Sequence, residues 1–187
     1  MKYIIGLGNP GLKYKYTRHN VAWLVFDALG LSDWKHDKYM NADFTGDAVA
    51  DELSLYVKPQ TFMNKSGEVI ATMKKQDDFN HENVVIMYDD VDLLFGQVRV
   101  SYNRGDGGHN GVKSITQHIG TKKTIRIRIG VSRLLDDGRL IKPNVLSKFP
   151  DDELSEINNT IAPKIEKIIR SLVQHGVDKT MGGFNTK

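Results

Sequence analysis

The chain has 187 residues, 40% hydrophobic and 26% charged, which is enough apolar material for one globular core and argues against disorder. The absence of cysteine excludes disulfides, thiol nucleophiles and cysteine-ligated zinc. The net charge of +3 is uneven: Gln97 to Lys148 carries 11 Lys+Arg against 3 Asp+Glu, a local +8, and the other 135 residues carry 15 against 20, a local −5. Such a stretch fits either a polyanionic partner or a solvated basic face with no partner. No apolar run reaches the roughly 18 residues of a membrane span, and no leader precedes the first strand, so a cytoplasmic protein with no membrane contact is expected.

In chain order, Lys2 to Leu7 reads as a buried strand. Thr17 is placed to cap a helix whose stripe is Val21, Leu24, Val25, Ala28 and Leu29 before Gly30. Thr45 to Ala50 and Leu53 to Lys58 flank Asp51-Glu52 as a hairpin or strand pair, and Ser66 begins a helix with Val69, Ile70 and Met73 on one face. Val84 to Met87 is a short apolar strand running into Tyr88-Asp89-Asp90, and Val98, Val100 and Tyr102 alternate with polar residues. A helix is expected over Asn110 to Ile119. Ile125, Ile127, Ile129 and Val131 alternate with Arg126, Arg128 and Gly130, which predicts a strand with one wetter side. The last helix is predicted over Asp152 to Gln174, kinked or broken at Pro163 and ended by Gly176. Together these predict a single α/β domain over residues 1–187, built on a mostly buried mixed sheet. Residues 132–144 mix charged residues with Leu134, Leu135 and Ile141 and read as a mobile flap or an inert loop.

Gly6-Leu7-Gly8-Asn9-Pro10-Gly11 matches the dinucleotide fingerprint on paper. Pro10-Gly11 favours a turn where the fingerprint needs a helix, and the available acid, Asp27, falls inside the predicted helix instead of ending a second strand. The glycines are better read as a sharp turn that holds Asn9 over the sheet edge.

The chemistry-bearing residues lie in separated blocks, each where a strand gives way to a loop or helix. His19 lies in the first turn of its helix, where the dipole opposes protonation and leaves the imidazole free to act as a base. Asp89 ends an apolar strand and can orient it, with Asp90 and Asp92 as local rivals. No serine or cysteine completes a triad, so water is the natural nucleophile. Asn64 follows Thr61-Phe62-Met63 as a cap or a substrate-facing amide, and Phe62 and Met63 are an apolar wall or plain core. Asn110 follows Gly107-Gly108-His109 at a helix start, a place suited to a phosphate, a carboxylate or an oxyanion. His109 is a second titrating contact or packs the turn.

No metal motif appears: there is no H-E-x-x-H, and no two of the six histidines lie four apart. Arg99, Arg104, Lys113, Lys122, Lys123, Arg126 and Arg128 surround the glycine-rich block and suggest a phosphate clamp. The residues alone therefore leave two readings open: a hydrolase without cofactor or metal that grips nucleic acid, or an RNA-binding module with no chemistry.

The ordered set is more specific. Gly6 to Gly11, Tyr14, Thr17-Arg18-His19-Asn20, Pro59 to Gly67, Asp89-Asp90-Val91-Asp92, Gly107 to Gly111, Arg126 to Gly130 and Val145 to Phe149 resemble bacterial-type peptidyl-tRNA hydrolase over nearly the whole chain. The resemblance implies a monomeric α/β domain, with a twisted mixed sheet enclosed by helices, that cleaves the ester between a peptide and the terminal ribose of tRNA without metal or organic cofactor. It implies His19 as base, Asp89 as its orienting partner, and Asn9, Asn64 and Asn110 as groups that hold substrate, with Asn110 also placing water or stabilising the oxyanion. Tyr14, Met63 and His109 would shape the pocket. Two features depart from the pattern: Ser101 stands where the family often has a basic clamp residue that partners Arg128, and the acidic turn begins Tyr88-Asp89-Asp90 where histidine and glutamate are common at the first and third positions. Asp106 in the glycine-rich loop adds a negative charge beside the expected RNA path. Arg99 or Arg104 is the expected substitute in the clamp, and Arg104 or Lys113 the expected partner of Asp106.

Overall fold

A computed structural model describes residues 1–77 and 79–185. In chain order the elements are β1 (Lys2–Gly6), α1 (Val21–Ala28), β2 (Lys35–Asp37), β3 (Ala42–Val49), β4 (Glu52–Pro59), α2 (Glu68–Met73), β5 (Val84–Leu94), β6 (Val98–Tyr102), α3 (Asn110–Ile119), β7 (Ile125–Leu134), β8 (Leu140–Ile141), α4 (Asp151–Glu156) and α5 (Ala162–Phe184). The sheet runs β2-β3-β4-β1-β5-β7-β6, with β8 paired to β7. The neighbours β4, β1, β5 and β7 are parallel, and β2, β3, β6 and β8 join antiparallel. Alternation along each strand feeds two cores. Ile4, Met87, Ile127 and Ile129 pack with α1 and α5 on one face, and Tyr3, Ile5, Ile86 and Tyr88 pack with α2 and α3 on the other. The result is the expected single α/β domain.

The hairpin forms as β3 and β4, in register from Ala42↔Pro59 to Val49↔Glu52. Its two turn residues, Ala50 and Asp51, both have positive φ (51° and 66°), the primed turn that matches strand twist.

Three expectations need correction. First, β7 has no wet side. It lies between β5 and β6, and α2 and α3 cover the face carrying the arginines, so Arg126 is fully buried and Arg128 is 7% exposed. Second, Thr17 does not cap α1: its hydroxyl donates to the Tyr14 carbonyl, and a 3-10 turn over Arg18–Asn20 leads into the helix. Third, the interruption expected at Pro163 falls just ahead of it, where α4 gives way to π-type winding and then to α5. Pro163 sits in the first turn of α5, just after that winding over Ile157–Ile161, which makes room for a ring that lacks an N–H. Gly176 (φ 77°, ψ 179°) does end the long helical run as expected, and a second helical segment within α5 continues beyond it to Phe184. The stretch 132–144 is the end of β7, a turn and β8, a hairpin whose rungs are Arg133↔Ile141 and Leu134↔Leu140.

Two glycines of the opening motif are explained by α1. A Cβ on Gly6 would lie 2.5 Å from the Phe26 ring and one on Gly8 would lie 2.7 Å from the Trp23 indole, whose N–H donates to the Gly6 carbonyl at 2.8 Å. The helix rests directly on the strand, with no nucleotide between. Gly130 plays a similar part where β5 bulges between Asp90 and Leu94, because a Cβ there would collide with the Leu94 carbonyl. Gly130→Ala is therefore expected to destabilise the fold by about 2–4 kcal/mol. Urea unfolding checks this, and an unchanged midpoint refutes it.

Candidate active site

β5 outruns its neighbour β1, whose last rung is Gly6↔Met87, and presents Asp89 beyond that rung. The side chain is 1% exposed. Its Oδ1 accepts from His19 Nδ1 at 2.8 Å and from His109 Nε2 at 3.0 Å. The two imidazoles lie 4.9 Å apart between ring centroids. An ionised carboxylate only accepts, so the proton of His19 is on Nδ1 and Nε2 remains as the basic atom. His109 is the N-cap of α3, and its Nδ1 accepts the Val112 N–H at 3.3 Å, which places its own proton on Nε2 toward Asp89.

The same three side chains offer ligand atoms within 4.8 Å of one another, so long-range convergence does gather a possible metal set that local spacing could not reveal. A metal would need the lone pair of His109 Nε2 and would push the ring proton onto Nδ1, against the Val112 N–H. The donor set fits hydrogen bonding better than a resident cation.

Main-chain contacts fix His19. Its N–H donates to the Val145 carbonyl at 2.8 Å, the Arg18 N–H donates to Ser147 O at 3.0 Å, and Thr17 bridges Lys148. A cavity of about 200 Å³ opens beside the cluster, lined by His19, Asp89, His109, Asn110, Arg104 and Val145 among others.

Asn9, Tyr14, Met63 and Asn64 do not line that cavity. Asn9 is buried: its Oδ1 accepts the Met63 N–H at 2.9 Å, its N–H donates to Asn20 Oδ1 at 2.9 Å, and Asn20 Nδ2 donates back to its carbonyl at 2.9 Å. Met63 is buried under the start of α3, where a Cβ on Gly111 would lie 2.5 Å from its sulfur. Asn64 is exposed, and Tyr14 is half-buried with its ring edge-on to Phe62. Asn110 is exposed as the first residue of α3 and lines the cavity.

The basic residues divide. Arg128 Nε donates to Asp90 at 2.6 Å, and Arg99 donates to the Asn185 carbonyl at the end of α5. Arg104 and Lys113 are exposed. Asp106 is paired with neither: its carboxylate accepts the Gly108 N–H at 2.8 Å. Arg126 has no hydrogen-bond partner for its guanidinium among the described residues, and burial lowers its pKa. Sequence reasoning missed Glu153, a buried carboxylate in ion-pair contact with Arg18 at 2.8 Å and hydrogen-bonded by Arg133 Nε at 2.8 Å. Its only local signal is an acid in the first turn of a helix, which surface acids share.

The fold and site define a small single α/β domain whose cleft opens at the carboxyl edge of a mixed sheet. The family profile "Peptidyl-tRNA hydrolase" matches residues 3–187. A peptidyl-tRNA hydrolase of Listeria monocytogenes serovar 1/2a is 43% identical over 190 residues, covering 100% of both chains, and one of Synechocystis sp. is 35% identical over 189 residues, covering 100% of this chain and 96% of the relative. The solved peptidyl-tRNA hydrolase of Acinetobacter baumannii superposes with a TM-score of 0.84 at 29% identity, covering 100% of this chain and 95% of that one. The chain belongs to the peptidyl-tRNA hydrolase family and is an enzyme of peptidyl-tRNA ester hydrolysis. None of its described helices is long and apolar enough to cross a membrane.

Burial alone pushes the Asp89 carboxyl up, but the charge and hydrogen bond of His109, then the hydrogen bond and charge of His19, outweigh it and hold the carboxyl below its usual range. A depressed folded pKa gives stability that is present above the ordinary carboxylate value of about 3.9 and is lost as pH falls through the folded value. His109→Ala removes one opponent of burial, so the folded pKa rises and the loss begins at higher pH. Acid unfolding is expected to shift its midpoint upward in this variant relative to the native chain. Coincident curves would show that His109 does not hold the carboxylate.

Proposed function

We propose that the chain cleaves the ester joining a peptide, or an N-blocked amino acid, to the 3′-terminal ribose of tRNA, with His19 as general base for water. The observation that carries this reading is the 2.8 Å bond from His19 Nδ1 to buried Asp89, which commits one ring nitrogen and leaves Nε2 to take a proton. Water loses that proton to Nε2 as its oxygen attacks the ester carbonyl carbon. The tetrahedral intermediate collapses with cleavage of the bond to the ribose oxygen, which receives the proton back from the imidazolium. Asp89 holds the tautomer and stabilises the imidazolium. His109 keeps Asp89 in place from the opposite side.

Asn110, at the open N-terminus of α3 beside the cavity, is assigned to the oxyanion and the attacking water. Asn64 is exposed and is assigned to the peptide side. Asn9 has its amide oxygen occupied by Met63, which leaves its Nδ2 to donate to substrate. Tyr14 and Met63 shape the wall. Arg104 and Lys113 are assigned to phosphates of the acceptor arm, since Arg99 and Arg128 already have partners. The enzyme is read as a cytoplasmic monomer that returns tRNA to translation.

Peptide release from N-blocked aminoacyl-tRNA tests the assignment. His19→Ala is expected to lower kcat about 10²–10⁴-fold while uncharged tRNA still binds, and native turnover is expected to resist chelator. Native binding without turnover would instead make the scaffold a binding module. Arg104→Ala and Lys113→Ala should each flatten the salt dependence of tRNA affinity by about one unit of log–log slope. A slope equal to the native one would remove that residue from the phosphate path.

A further inference from the structure

We propose that Glu153 is a positioning residue for the hydrolysis: its carboxylate ties the turn that carries His19 to the stem of the β7–β8 hairpin. The proposal rests on the reading of His19 as the base.

Glu153 is 5% exposed at the start of α4. Oε2 stands in ion-pair contact with Arg18 Nη2 at 2.8 Å without hydrogen-bond geometry, and Oε1 accepts from Arg133 Nε at 2.8 Å with Nη2 of the same guanidinium 2.7 Å away. Arg18 directly precedes His19. Its guanidinium is 4.7 Å from the centre of the Phe149 ring and donates to the Val131 carbonyl at 3.4 Å, so its place is set from several sides. Arg133 is the first rung of the hairpin, opposite Ile141. The chain that returns from the hairpin reaches Val145, whose carbonyl accepts the His19 N–H and whose side chain lines the cavity. Lys142 clasps the other side of the hairpin to Asp92 at 2.6 Å.

The path from hairpin to base is therefore closed: Arg133 to Glu153 to Arg18 through side chains and from Arg18 to His19 along the chain, and Val145 to His19 through a backbone hydrogen bond. Burying a carboxylate between two guanidinium groups is costly in desolvation, and packed apolar residues often hold a fold together as well. What ionic geometry adds is direction. It fixes the rotation of the 3-10 turn that aims His19 at Asp89, and a misplacement of about 1 Å at a reacting group can cost about 10²-fold in rate.

The test is Glu153→Gln in the full chain, assayed by peptide release from N-blocked aminoacyl-tRNA. Turnover per folded molecule is expected to fall about 10- to 100-fold with KM little changed. The downfield proton resonance of His19 Nδ1–H, bonded to Asp89, should broaden or move. Arg133→Gln frees only the hairpin stem and should raise KM more than it lowers kcat. A purely structural Glu153 gives a different result: Glu153→Gln lowers the melting temperature but keeps native kcat per folded molecule and the native His19 resonance, which overturns the proposal. If that variant does not fold, Arg18→Lys keeps the charge but loses the planar fork, and the same two readouts decide. Absence of turnover in the native chain would count against the hydrolase reading, and the His19 resonance would still test the coupling. Native turnover unaffected in the Glu153→Gln chain would count against the coupling alone.

Discussion

A single carboxylate oxygen, Asp89 Oδ1, organises the site because it receives imidazole donors from two directions. A buried ionised carboxylate is tolerable only if it is paired and hydrogen-bonded, and here both partners come from elements far away in sequence. His19 arrives from the turn before α1, and His109 arrives as the cap of α3. The three side chains fix one another. Asp89 sets the tautomer of His19, and Val112 sets that of His109 so that its proton faces Asp89. The start of α3, which carries Asn110, is thereby tied to the basic nitrogen of His19 through hydrogen bonds as well as through its packing on the core.

The close approach of these elements depends on missing side chains as much as on those present. Trp23 and Phe26 of α1 lie against Gly8 and Gly6, Met63 lies against Gly111, and the Ser114 carbonyl lies against Gly67. Each glycine brings a helix or turn down onto its neighbour, so the asparagine-bearing turns gather at one edge of the sheet. Asn9 and Asn20 complete the arrangement by bonding each other through main chain and side chain, which locks the turn after β1 to the turn carrying His19. The opening glycine motif resembles a phosphate cradle in letters, but its physical use is helix-on-strand packing.

Much of this was legible in sequence because it is local. The first strand, the β3–β4 hairpin, α1, α3 and the apolar stripe of the last helix follow from periodicity and turn chemistry. His19, Asp89 and the asparagine blocks each have a bland use as a cap or turn residue, and they stood out only as an ordered set. Order across the sheet was not legible. Alternation in β7 showed that Arg126 and Arg128 share a face, but whether that face is wet depends on β6 adding outside β7 and on α2 and α3 covering it. The three-residue β2 and two-residue β8 are too short to have a period. Glu153 was invisible for the same reason: its partners lie 135 and 20 residues away, and its own neighbours Asp151 and Asp152 make it look like an ordinary acidic helix start.

The basic surplus between Gln97 and Lys148 shows how far formal charge can depart from the field a partner meets. Arg126 is sealed in the core, Arg128 is neutralised by Asp90, Arg133 by Glu153, Arg139 by Asp137 and Lys142 by Asp92, while Arg99 is turned toward the end of α5. Among the described residues, the exposed cations of this stretch without a carboxylate partner are Arg104, Lys113, Lys122, Lys123 and Lys148. Four of these flank or belong to α3: Arg104 in the loop before it, Lys113 on it, and Lys122 and Lys123 just after it. Most of the free positive charge thus gathers on and around the helix whose cap holds Asp89. Arg104 also lines the cavity at the N-terminus of that helix, so the free charge and the His19–Asp89–His109 cluster meet at one place although they come from different elements.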